Sequence, residues 1–128
     1  MIFGAHLLLY SDKPELDRVF FRDVLGYPHV DVGHGWLIFK LPRAEAAVHP
    51  SDEGKGESES PEGHRMLGAH LYLMCDDLAE QIKLLKAKSV SCTEIAEERW
   101  GTRTTIKLPS GGEIGLYQPK HPTALDLT

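Results

Sequence analysis

The hexapeptide Gly4-Ala5-His6-Leu7-Leu8-Leu9 returns as Gly68-Ala69-His70-Leu71-Tyr72-Leu73, identical at five of six positions and 64 residues further on (position 6 to position 70). That spacing is half of the 128-residue chain, so the sequence reads as two copies of one unit. Two units of this size are too few for a solenoid. After each run comes an acidic residue, Asp12 or Asp76, and then a helical pattern. Further along, Lys40-Leu41-Pro42 and Lys107-Leu108-Pro109 close equivalent segments in the same letters.

Both opening runs are short, apolar and soon followed by turn residues, which predicts strands. The first helix is expected to start at Pro14, where a missing N–H costs nothing, with Ser11 or Asp12 as its cap. Glu15 suits the positive end of its dipole. Leu16, Val19, Phe20 and Val24 form its apolar stripe, and Gly26 is its stop. In the second helix Asp77 and Glu80 have capping-box spacing, and Leu78, Ile82 and Leu85 supply the stripe. Further strands are expected at 29–32, 35–41 and 45–49, and again at 91–95, 102–108 and 113–117.

Each half therefore reads βαβββ, an α+β domain with module one at 1–50, a flexible linker at 51–65 and module two at 66–128. The linker expectation rests on 50–62, rich in Ser, Gly, Glu and Pro and without a large apolar residue, too little to bury. A four-stranded sheet with one helix leaves its other face bare. Two modules can cup those faces around one cleft, or meet a second chain.

Composition narrows the function without choosing it. Hydrophobic residues make up 41% and charged residues 26%, as in ordinary globular chains. A net charge of −5 with no basic stretch argues against nucleic-acid binding. The longest apolar runs are too short to span a bilayer, and no basic n-region opens the sequence, so a cytoplasmic protein without a membrane anchor is expected. Cys75 and Cys92 lack metal-site spacing and read as reduced thiols.

Strand alternation sets Leu7, Leu9, Leu71 and Leu73 against the helices and turns His6 and His70 toward the open face. Imidazole is a common ligand for borderline divalent metals; the alternative is a pair of buried, hydrogen-bonded histidines. Trp36, Phe39, Trp100 and Tyr117 line an aromatic pocket or fill the core, and the 99–103 stretch brings Trp100 and Arg103 to a cleft rim or forms a solvated loop. His29, His34, His64 and His121 lie in or near turns, with no special role expected. No Ser/His/Asp arrangement or phosphate-cradling glycine loop occurs.

The two GAHLxL runs with their helices, and Pro109-Ser110-Gly111-Gly112-Glu113-Ile114-Gly115-Leu116-Tyr117, resemble the vicinal oxygen chelate superfamily. It includes glyoxalase I, extradiol dioxygenases, fosfomycin-resistance thiol transferases and bleomycin-binding proteins. The likeness spans nearly all of the chain outside 50–62. It implies two βαβββ modules whose mixed sheets curve around a shared cleft, a small-molecule ligand or substrate, and a homodimer. His6 and His70 match the family's metal histidines, whose third partner is usually a last-strand glutamate. That glutamate falls at Gly115, so Glu113, two residues earlier on the same strand face, and His49, ending the fourth strand, are the substitutes.

With zinc, nickel, manganese or iron(II) at His6, His70 and His49, and Glu113 as base, the resemblance implies a lyase/isomerase or a dioxygenase. Without metal it implies a bleomycin-resistance-like binder using Trp100, Arg103 and Tyr117. The scaffold alone does not choose between them.

Overall fold

The computed structural model describes residues 1–50, 58–59, 65–66 and 68–128. Pro14 opens α1 (Pro14–Val19), as its fixed φ favours. The cap differs from expectation. Lys13 holds the N-cap position without a side-chain bond, while Ser11 Oγ accepts the Lys13 N–H at 3.0 Å and donates to Asp17 at 2.7 Å. The helix runs on into a π-helical turn at Phe20–Val24. Leu25 N–H donates to the Phe20 carbonyl and Tyr27 N–H to that of Phe21, each at 3.1 Å. Gly26, at φ +70°, supplies the left-handed residue this ending requires.

The buried stripe of this helix is rotated from the expected one. Phe20 and Phe21 are buried, whereas Leu16 and Val19 stand 48% and 43% exposed. Asp17 sets the rotation: its carboxylate accepts the Ser110 N–H at 3.1 Å and the Ser110 hydroxyl at 2.6 Å. Positions 17, 20, 21 and 24 share one helical face, so docking Asp17 turns both phenylalanines inward.

β1 (His29–Asp31) and β2 (Leu37–Phe39) form an antiparallel hairpin with His29 opposite Phe39. Asp31 Oδ1 ties its turn by accepting the Gly33 N–H at 2.8 Å. The strands expected at 4–9 and 45–49 are not strands here. Among the described residues neither segment makes the backbone bonds that a ladder needs. Their apolar side chains face solvent, with Leu8 59% and Val48 99% exposed. Module one is therefore a helix and a hairpin rather than a closed four-stranded unit. β3 (Ser58–Glu59) and β4 (Arg65–Met66) pair antiparallel within the expected linker and at its end; the rest of that linker lies outside the described residues.

The second half forms the full βαβββ pattern: β5 (Tyr72–Met74), α2 (Leu78–Ala87), β6 (Ala96–Glu98), β7 (Gly101–Lys107) and β8 (Glu113–Pro119). The sheet order is β5-β8-β7-β6, with β5 parallel to β8 and the other pairs antiparallel. Asp77 caps α2 by accepting the Glu80 N–H at 3.1 Å, and Leu78, Ile82 and Leu85 are buried as their spacing predicts. The strand expected at 91–95 is displaced to β6, leaving only a Cys92–Ile106 bridge. Thr93 is the reason. Its Oγ1 accepts the Thr105 N–H at 2.9 Å and its carbonyl accepts the Thr104 hydroxyl at 2.7 Å, replacing ladder bonds with side-chain ones.

Thr104 and Ile106 on β7, and Ile114 and Leu116 on β8, are buried, and the three apolar ones pack in a core with Phe20, Phe21 and the α2 stripe. Both helices thus contribute to one core on one face of the mixed sheet. The opposite face, by alternation, carries Arg103, Gly115 and Tyr117. No helix of the described residues is long and apolar enough to cross a membrane.

Candidate functional site

That opposite face is aromatic. Tyr72 lies opposite Gly115 across the β5–β8 pair, and Arg103 opposite Tyr117 across β7–β8. Trp100, just before β7, is held by its carbonyl, which accepts the Lys120 N–H at 2.8 Å. The three rings meet edge to face: Tyr72 to Trp100 at 5.8 Å, Tyr72 to Tyr117 at 5.7 Å and Trp100 to Tyr117 at 5.2 Å between centroids. These are favourable quadrupole geometries. Tyr117 is only 8% exposed and forms the floor, while Tyr72 and Trp100, both at 37%, offer ring surface to solvent. His70 stacks on Tyr72 at 4.5 Å.

Two glycines permit this packing. A Cβ on Gly115 would stand 2.1 Å from Tyr72 Cδ1. One on Gly101 would stand 2.6 Å from the Gln118 carbonyl oxygen and 2.9 Å from Tyr117 Cδ2. At both places the ring is close because the side chain is missing.

The polar end of the face is built around Tyr117. Its hydroxyl is 2.9 Å from His121 Nε2, and His121 Nδ1 is 2.7 Å from the Pro122 carbonyl. Burial, then the charge of Glu45 and the neighbouring Tyr72, pushes the Tyr117 phenol above its usual value. Glu45 belongs to the first half and is anchored by the Ala124 N–H at 3.0 Å, while Arg43 pairs with Asp126. The halves therefore meet at this end. Arg103 directs Nε and a terminal nitrogen at Glu98, each at 3.2 Å, and Lys120 pairs with Glu97 at 2.7 Å.

The expected pocket residues Trp100, Arg103 and Tyr117 thus share one face, with His70 beside it. The expected metal and base residues are dispersed. His6 is exposed in the unpaired N-terminal arm, His49 is exposed outside any strand, and Glu113 is exposed at the start of β8 opposite Lys107. Among the described residues no three His, Cys, Asp or Glu side chains gather to hold a metal ion. A His-His-Glu centre does not fit this face: position 115 offers no donor, and the Tyr72 ring fills the space above it.

Sequence reasoning missed Tyr72, His121 and Glu45. Tyr72 was visible as the one letter by which GAHLYL departs from GAHLLL. His121 follows the last strand and gains its partner only because that strand ends at Pro119 beside Tyr117. For Glu45 the sequence carried no signal, since its neighbour Ala124 is 79 residues away.

No family model and no curated protein sequence matches the chain. Solved structures do match it. A lactoylglutathione lyase from Agrobacterium tumefaciens superposes with a TM-score of 0.60 at 19% identity, covering 91% of this chain and 92% of that one. An antibiotic binding protein from a Streptomyces species gives 0.57 at 19% identity, covering 94% and 100%. A member of the glyoxalase/bleomycin resistance protein/dioxygenase superfamily from Sphaerobacter thermophilus gives 0.55 at 20% identity, covering 91% and 98%. The fold of this chain is the one these proteins share.

Proposed function

We propose that the chain binds a planar aromatic small molecule on the Tyr72–Trp100–Tyr117 face, by stacking and burial rather than through a metal. The observation that carries this reading is the pair of partly exposed rings locked in edge-to-face contact over Gly115 and Gly101. Rings pre-set in this way lose little freedom when a flat ligand covers them. The Streptomyces neighbour, an antibiotic binding protein, supports a small-molecule ligand. The enzymatic reading would need His6, His49, His70 and Glu113 to converge on zinc, nickel, manganese or iron(II); no catalytic step is assigned to them.

A second copy of the chain belongs to this reading. Among the described residues the arm that repeats β5 has no strand partner, and Ile2, Phe3, Leu8 and Trp36 stand 95%, 93%, 59% and 61% exposed. Apolar surface of that extent in one half supports a homodimer in which the arms find partners. Cys75 and Cys92, both free, support a reducing cytoplasmic setting.

The test is a titration of the Trp36→Phe variant with naphthalene- and anthraquinone-type dyes, following Trp100 fluorescence. Saturable quenching is expected, with affinity reduced about tenfold or more by Tyr72→Ala, in line with the worth of a stacked ring. Absence of saturable quenching across the panel would overturn the proposal. So would about one equivalent of tightly held divalent metal in untagged protein, a result that restores the enzymatic reading.

A further inference from the structure

The Tyr117–His121 pair gives the proposed binding face a polarity. The Pro122 carbonyl carries no proton, so the 2.7 Å contact requires the hydrogen on His121 Nδ1. In the neutral ring Nε2 is then a bare lone pair, and the 2.9 Å contact to Tyr117 consumes the phenolic hydrogen. What remains on the Tyr117 oxygen is acceptor capacity only. Glu45, whose charge reaches Tyr117, adds a second acceptor at the same end. Arg103, the nearest cation across the strand pair, directs its Nε and one terminal nitrogen at Glu98.

We infer that His121 is a positioning residue that fixes Tyr117 as a hydrogen-bond acceptor, so that the face selects flat aromatic ligands carrying an O–H or N–H donor. The inference rests on the aromatic-face reading above. The titratable and charged groups around the pair are Glu45 from the first half, Tyr72 on β5, Arg103 on β7 and Lys120 next to His121. Arg103 and Lys120 are held by Glu98 and Glu97.

Calorimetry with a naphthol and its methyl ether separates this from plain stacking, because the two share ring area and differ in the donor. Near neutral pH the naphthol binds about tenfold tighter, one good hydrogen bond, and Tyr117→Phe reduces the ratio to about one. His121→Gln, whose amide can donate to Pro122 and accept from Tyr117, keeps the preference, whereas His121→Ala, which frees the Tyr117 hydrogen, loses it. Equal binding of the two probes would overturn the inference while leaving the aromatic face intact. Binding of neither would overturn both.

Discussion

The ring of Tyr72 occupies the space that any side chain on Gly115 would need, 2.1 Å from an added Cβ. The two residues sit opposite each other on parallel strands β5 and β8, so neither can be changed without the other responding. Gly115→Ala is expected to destabilise the chain by about 1–3 kcal/mol, the usual cost of overpacking, as the ring is forced off the sheet. Combined with Tyr72→Ala, the alanine at 115 regains its room, so the double variant loses less than the sum of the two single losses. Urea melts of the four proteins measure this coupling, and strictly additive losses would show that the ring does not rest on Gly115.

Where local physics decides, the sequence was readable. The Asp77–Glu80 cap, the Leu78/Ile82/Leu85 stripe and the Gly26 stop all appear, because each depends on residues within one or two turns. The rotated stripe of the first helix was not readable, since it goes with the docking of Asp17 on Ser110, 93 residues apart. Nor were the missing ladders at 4–9 and 45–49, because an apolar alternation states that a strand is possible and not which edge will accept it. Trp100 and Tyr117 read as pocket or core aromatics and Arg103 as a rim or loop residue; their shared face depends on strand pairings the sequence does not state. The contacts of Tyr72, the one letter that breaks the repeat, were left unread.

Asp17 joins the first helix to the second module through the Ser110 N–H and hydroxyl, and also accepts the nearby Ser11 hydroxyl. Asp17→Ala should cost about 1–3 kcal/mol, leaving half-buried donors unpaired and releasing the rotation that buries Phe20 and Phe21. Ser110→Ala should cost less, since the backbone N–H contact survives. A chemical melt in which Asp17→Ala matches the wild type would remove this residue from the account of the helix.

Four protons are held more tightly in the fold than outside it. Burial raises the thiols of Cys75 and Cys92 and the phenols of Tyr27 and Tyr117. A raised acid favours the folded state as long as it stays protonated. Stability from these groups is complete below the ordinary thiol value of 9.0. It is lost as pH climbs past that value and the phenol's 10.0 toward the higher folded values, because the unfolded chain gives up its protons first. Thermal melts across this range should show a falling midpoint, with a shallower fall in Tyr117→Phe. A midpoint that is flat to pH 11 would contradict the burial of these side chains.

Among the described residues the N-terminal arm has no strand partner. Phe3 and Leu8 are 93% and 59% exposed in a single chain, and Leu8 lies in the repeat whose second copy enters β5. A charge at either position costs nothing in an isolated chain, where water already surrounds the side chain, and is costly only where a partner covers it. Phe3→Asp and Leu8→Asp should therefore leave the urea melt of the α2 core almost unchanged while shifting sedimentation from dimer toward monomer at micromolar concentration. A wild-type chain that sediments as a monomer at high concentration would leave the arm without a partner and remove the second copy from the proposed function.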